Sequence, residues 1–269
     1  MLFGVISFPG TNCETESVRA LRKVGVDAKI LLWNEPKEHF EECDGFLLAG
    51  GFSYEDRGRS GVVAANDEVI SYLREASAHA KPIIGICNGA QILVESGLVT
   101  DSIGPKIALS INKRIKEGHV QGVGFYHDWC FLKNIAKQGR GPFNNFSKLV
   151  KMPLAHGEGR FVIDSDFMKE MEKNDQIVFE YTDENGKVDE HYPVNPNGSA
   201  KNIAGVCNIA GNVLAMMPHP ERGRELAEDL FLGLKEWFNN KKDIERSKSP
   251  SSQKVNASAS PSVIPALVK

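Results

Sequence analysis

The sequence predicts an α/β protein with a mostly parallel central sheet flanked by helices. Strand-like and helix-like segments alternate over residues 1–100, and Gly- or Pro-marked loops at 9–12, 50–53 and 87–89 fall where strands end. Alternation of this kind builds βαβ units whose strands pair in parallel, and sites in such sheets form beyond the carboxyl ends of the strands.

The elements follow in order. Leu2 to Phe8 reads as a strand and Pro9-Gly10-Thr11-Asn12 as a turn. Glu14 to Val24 has helical spacing at Val18, Leu21 and Val24, closed by Gly25. Val26 to Trp33 is a second strand, and Asp44 to Ala49 a third that ends in Gly50-Gly51. Asn66 to Ala80 is a helix, Pro82 to Ile86 a fourth strand and Ala90 to Ser96 a helix directly after it. From Leu98 to Arg160 the pattern is weaker: Lys106 to Ile111 and Lys148 to Met152 read as strands, and Gln138 to Asn145 as an exposed loop. Ser165 to Met171 reads as a helix, Gln176 to Tyr181 as a strand and Asp183 to Lys187 as a hairpin-type turn. Ile203 to Ile209 and Val213 to Met217 are paired strands around Ala210-Gly211-Asn212, followed by an amphipathic helix from Arg224 to Phe238. The domain is expected to span 1–240. Residues 241–269, rich in Lys, Ser, Pro and Ala, are expected to form a disordered polar tail.

Composition narrows the function. The 269 residues are 41% hydrophobic and 25% charged, as in an ordinary soluble globular protein. A net charge of −3 argues against a nucleic-acid groove or an anionic membrane surface as partner. No apolar run approaches the roughly 20 residues needed to span a bilayer, and Met1 leads straight into a strand without a signal-like segment. The five cysteines are scattered, odd in number and without a Cys-x-x-Cys pair. That argues against a disulfide framework or a zinc ribbon, so no metal site is expected, and it favours a reducing, cytoplasmic compartment.

The most informative stretch is Pro82 to Gln91. A short β-branched strand, Ile83 to Ile86, runs into a helix with Cys87 at the junction and Gly85 and Gly89 on either side. A sharp strand-to-helix turn strains its apex residue, and neighbours without side chains relieve the crowding. The thiol is thereby lifted clear of the sheet at a helix N-terminus, a setting that favours the nucleophilic thiolate. A small cysteine packed among glycines is the bland alternative.

A nucleophilic cysteine needs a base and an orienting group. His39 and His79 lie on polar helical faces, and His119, His127 and His191 fall in unplaced segments. His219 differs: it follows a strand, is fixed by Pro218 and Pro220, and has Glu221 two residues on. In extended chain, residues i and i+2 point the same way, so the carboxylate can orient the imidazole. A Pro-punctuated turn into the next helix would look similar. The Asn88 N–H offers one oxyanion donor, and the Gly50-Gly51 loop is suited to supply a second.

These residues resemble the class I (triad) glutamine amidotransferases, over roughly Leu2 to Phe238. More narrowly, Phe8-Pro-Gly-Thr-Asn-Cys-Glu14, Gly50-Gly-Phe-Ser-Tyr54, Gly85-Ile-Cys-Asn-Gly-Ala-Gln91, His156-Gly-Glu-Gly-Arg160 and Met217-Pro-His-Pro-Glu-Arg222 resemble the glutaminase subunits of phosphoribosylformylglycinamidine synthase. The resemblance implies the flavodoxin-like amidotransferase fold with Cys87 at a nucleophile elbow. It implies that Cys87 attacks the side-chain amide of L-glutamine and forms a thioester, with His219 moving protons and Glu221 orienting it. Gly51 and Asn88 would hold the oxyanion, while Gly50, Gln91, Gly157 and Glu158 would line the glutamine site. No cofactor is expected in this chain. ATP and Mg2+ belong to a large ATP-dependent synthetase subunit that would receive the ammonia, and a small accessory subunit is implied as well. Nothing resembles Gly-x-x-x-x-Gly-Lys-Ser/Thr. The chain departs from the family after Tyr54, where many members read Gly-Asp-Tyr and this one has Glu55-Asp-Arg-Gly-Arg59. The segment from Lys137 to Asn145 and the tail after Asn239 are additions.

Three alternatives compete. Another class I glutaminase would share the triad but not Phe52-Ser-Tyr54 or His156-Gly-Glu-Gly-Arg160. A PfpI-type cysteine hydrolase commonly has His directly after the elbow cysteine, where this chain has Asn88. A non-enzymatic scaffold predicts an unreactive Cys87, although no triad position is lost.

Overall fold

The computed structural model describes residues 1–100, 106–137, 139–143, 149–223 and 229–248, with 241–248 described by their backbone alone. Along the described chain run β1 (Leu2–Ser7), α1 (Glu14–Lys23), β2 (Asp27–Leu32), α2 (Lys37–Glu41), β3 (Gly45–Leu48), α3 (Val69–Ala78), β4 (Ile83–Ile86) and α4 (Asn88–Glu95). Then come β5 (Ile107–Ile111), β6 (Lys113–Lys116), β7 (His119–Val123), β8 (Tyr126–Asn134), β9 (Leu149–His156), β10 (Glu158–Ile163) and α5 (Ser165–Lys173). The last elements are β11 (Ile177–Thr182), β12 (Ile203–Cys207), β13 (Val213–Met216) and α6 (Asp229–Lys248).

Nine strands form one sheet in the order β2-β1-β3-β4-β13-β12-β11-β8-β9. The first five are mutually parallel, and the rest extend the sheet by antiparallel pairing. Following the pairings, only β12 and β8 run against the common direction, so the sheet is mostly parallel as expected. β3, β4 and β13 are buried at every position, which is why they read as unbroken apolar runs. Register pairs Ile86 with Met216, so the loops after β4 and β13 leave the sheet side by side.

Helix ends follow local chemistry. α1 carries Glu14 and Glu16 in its first turn and Arg22 and Lys23 in its last, matching the helix dipole. The Asp164 side chain caps α5 by accepting from the backbone of Asp166 and Phe167.

The structure adds elements that the sequence pattern left unplaced, above all the β6–β7 hairpin and the long β8. Neither hairpin strand has a buried position, so no apolar alternation marks them. The loop expected to be exposed at 138–145 is only partly so where it is described: Gly139 is exposed, but Phe143 is buried, and the Arg140 guanidinium donates to the carbonyls of Asn208 and Ile209. Gln138 and residues 144–145 of that loop lie outside the described residues. α6 runs on to Lys248, past the expected domain end. Residues 224–228 of the expected helix and 249–269 of the expected tail lie outside the described residues.

Candidate active site

Cys87 stands between β4 and α4 with φ 53° and ψ −107°, a conformation that L-residues avoid. Its N–H donates to Met216 O at 2.9 Å, which ties the apex to β13. The flanking glycines are required by close approach. A Cβ on Gly89 would lie 2.0 Å from Leu48 O, and one on Gly85 would lie 2.5 Å from Gly89 O. The thiol is buried, 3.6 Å from Ala155 O.

His219 leaves β13 and is pinned when its N–H donates to Pro153 O at 2.8 Å. Its Nδ1 lies 2.6 Å from Glu221 Oε1. His219 Nε2 and Glu221 Oε2 are both buried without a hydrogen-bond partner among the described residues. Burial opposes the charged imidazolium, but the Glu221 carboxylate, then Cys87, outweigh it and raise the His219 pKa well above its ordinary value. A base oriented by a carboxylate, with its far nitrogen free, is the arrangement needed to serve a thiol.

Gly50 joins the three parts. A Cβ there would meet His219 Cε1 at 2.9 Å, Cys13 Sγ at 3.1 Å and Cys87 Cβ at 3.5 Å. Gly51, with φ +149°, has a backbone N–H without a partner among the described residues. Asn88, as the first residue of α4, has an N–H without an intrahelical acceptor.

Of the residues expected to line the glutamine site, Gln91 and Glu158 are joined in one hydrogen-bonded network with Asn88. The Asn88 side chain accepts from Ser53 N at 3.0 Å and donates to Gln91 Oε1 at 2.9 Å and to Asp56 Oδ1 at 3.3 Å. Gln91 Nε2 donates to Glu158 O at 2.6 Å, and the Glu158 carboxylate accepts from Ser60 N at 3.3 Å. Gln91 therefore bridges the elbow helix to the 157–158 turn. Burial, and to a lesser degree the Glu158 charge, raises the Asp56 pKa.

The structure also brings in residues that sequence reasoning missed. Cys13 Sγ, a His219 ring nitrogen and a Glu221 oxygen lie within 4.8 Å of one another. These donor types can hold a metal, but His219 and Glu221 are already bonded to each other through Nδ1 and Oε1. Asn112 is buried and fixes the turn after β9: its N–H donates to Gly157 O, its Nδ2 to His156 O, and its Oδ1 accepts from Gly159 N. His156 is buried against Asn112 and stays neutral. Burial, with His219 nearby, lowers its pKa to about 3. Cys13 and His156 lie within motifs already quoted but were given no role there, and Asn112 adjoins none of those motifs. The five cysteines are all free.

The chain has counterparts among known proteins. Residues 3–244 match the CobB/CobQ-like glutamine amidotransferase domain. Phosphoribosylformylglycinamidine synthase subunit PurQ of Methanothrix thermoacetophila is 45% identical over 226 residues, covering 82% of this chain and 86% of that protein. The PurQ subunit of Pyrococcus furiosus is 39% identical, covering 88% of this chain and 99% of that one. Among solved structures, a chain of PurLQS from Thermotoga maritima superposes with a TM-score of 0.68 at 32% identity, covering 89% of this chain and 98% of that chain.

Proposed function

The chain belongs to the phosphoribosylformylglycinamidine synthase subunit PurQ family of glutamine amidotransferases, and from that membership we propose how its site works. It is the glutaminase subunit of that synthase, acting in purine biosynthesis. The observation that carries the site reading is the strained Cys87 apex beside an imidazole whose other side is held by Glu221.

The Cys87 thiol gives its proton to His219 Nε2 and attacks the side-chain amide carbon of L-glutamine. The oxyanion is received by the N–H groups of Gly51 and Asn88, donors of a kind worth about 10²–10³ in rate each. Collapse expels ammonia with the proton from His219 and leaves a thioester at Cys87. Water, deprotonated by His219, then releases glutamate. Gly50, Gln91, Gly157 and Glu158 shape the pocket for the substrate. The ammonia passes to a large ATP-dependent synthetase subunit, which uses ATP and Mg2+ to convert formylglycinamide ribonucleotide to formylglycinamidine ribonucleotide, with a small third subunit in the complex. The name PurLQS of the related assembly supports such partners. Among the described residues no helix is long and apolar enough to cross a membrane, and free buried cysteines fit a cytoplasmic setting.

The test is intact mass after exposure to 6-diazo-5-oxo-norleucine, with and without excess glutamine, followed by peptide mapping. A single label at Cys87 that glutamine suppresses is the expected result. Absence of label both alone and with the synthetase subunit would overturn the reading.

A further inference from the structure

The Gly50–Gly51 peptide is held by its carbonyl. Gly50 O accepts from two consecutive backbone donors, Asn12 N and Cys13 N, each at 3.1 Å. Flanking this pair, Phe52 N donates to Gly10 O at 2.9 Å and Tyr54 N donates to Pro9 O at 2.7 Å. The turn that supplies these groups is itself closed. Thr11 N donates to Phe8 O at 3.0 Å, and Phe8 N donates to Thr11 Oγ1 at 2.9 Å.

Direction follows from the sheet. β3 lies between β1 and β4, the turn follows β1, and Cys87 follows β4. A trans peptide is planar with its C=O and N–H on opposite sides. A Gly50 carbonyl drawn toward the β1 side therefore turns the Gly51 N–H toward the β4 side, where the nucleophile stands. A side chain at 51 would break the arrangement, since a Cβ would lie 2.7 Å from both Asn12 N and Thr11 Cα.

We propose that the Phe8–Cys13 turn is the positioning element of the oxyanion hole: its backbone fixes the Gly51 N–H, and Thr11 Oγ1 fixes the turn. The inference rests on the glutaminase reading.

The test compares Thr11→Val, which lacks the accepting hydroxyl, with Thr11→Ser, which keeps it. Glutamine hydrolysis is measured with the synthetase subunit present, beside the rate at which iodoacetamide alkylates Cys87. Alkylation forms an S–C bond as iodide leaves and builds no oxyanion, so it reports the thiol alone. Thr11→Val is expected to lower kcat by about 10- to 100-fold at little changed KM, as a misplaced catalytic group does. Thr11→Ser is expected to restore it, with alkylation unchanged in both. Wild-type kcat in Thr11→Val, or alkylation that slows in step with kcat, would overturn the proposal. Should Thr11→Val not fold, Asn12→Pro removes one donor to Gly50 O and is judged by the same outcomes. A wild-type protein that hydrolyses no glutamine would instead take down the glutaminase reading, and this inference with it.

Discussion

His219 Nδ1 and Glu221 Oε1 meet at 2.6 Å with their side chains 3% and 0% exposed. A carboxylate so withdrawn from water acts strongly on the ring, and it favours a proton on Nδ1, which leaves Nε2 for the base role proposed above.

Glu221→Gln keeps the shape but removes the charge and can present the wrong hydrogen-bonding group to Nδ1. Glutamine-dependent kcat is expected to fall by about 10²–10⁴, the upper end being the loss seen when a triad carboxylate becomes an amide. The same variant changes stability. His219 is raised above the unfolded value of 6.5, so the pair's contribution is fully present below pH 6.5 and is lost as pH rises through the raised value. Denaturant midpoints across alkaline pH should fall in the wild type and fall less in Glu221→Gln. Parallel curves would contradict the pairing.

His156 gives the opposite limb. It is neutral in the fold down to about pH 3, while the unfolded chain takes up a proton near pH 6.5. The stability it permits is present above pH 6.5 and declines as pH falls toward 3, with a slope approaching about 1.4 kcal/mol per pH unit. His156→Gln should flatten this limb in acid titrations of stability. An unchanged slope would show that other groups carry it.

Cys87 separates chemistry from strain. Cys87→Ala and Cys87→Gly should both lose glutamine-dependent synthesis while the assembled complex keeps ammonia-dependent synthesis, because in the proposed mechanism the thiol serves only to release ammonia. The two should differ in stability. At φ 53° and ψ −107° alanine remains strained and glycine does not, so Cys87→Gly should be the more stable by about 1–3 kcal/mol in chemical denaturation. Equal stability would mean that the apex stores no strain.

Legibility of the fold tracked burial. β1, β3, β4 and β13 are apolar because they are covered on both faces, and the glycines at 50, 51, 85 and 89 mark the places where backbone or catalytic groups approach closely. The residues proposed as a triad were found from local punctuation, Cys87 from Gly85 and Gly89 and His219 with Glu221 from Pro218 and Pro220. The β6–β7 hairpin was not, since neither strand has a buried face to pattern. Asn112 and Cys13 were missed for another reason. Their roles come from contacts across the fold, Asn112 to the turn after β9 and Cys13 to His219, and no local spacing encodes those.

The loop after Gly51 carries removable strain. Tyr54, Glu55 and Asp56 have φ of 52°, 59° and 52°, three consecutive residues in the left-handed region, which costs L-residues roughly 1–2 kcal/mol each. Tyr54 is compensated: its hydroxyl donates to Asp67 at 2.7 Å, and its ring meets Trp33 edge-on. Asp56 is compensated by the Asn88 side chain. Among the described residues the Glu55 side chain makes only an exposed pair with Arg57 at 3.0 Å, a kind of contact that contributes little. Glu55→Gly should therefore stabilise the protein by up to about 1 kcal/mol, net of glycine's greater freedom in the unfolded chain, and raise Tm by roughly 2–4 °C. Tyr54→Gly, relieved of the same strain but stripped of its two contacts, should lower Tm. If both variants moved Tm in the same direction, backbone strain would not be what distinguishes these positions.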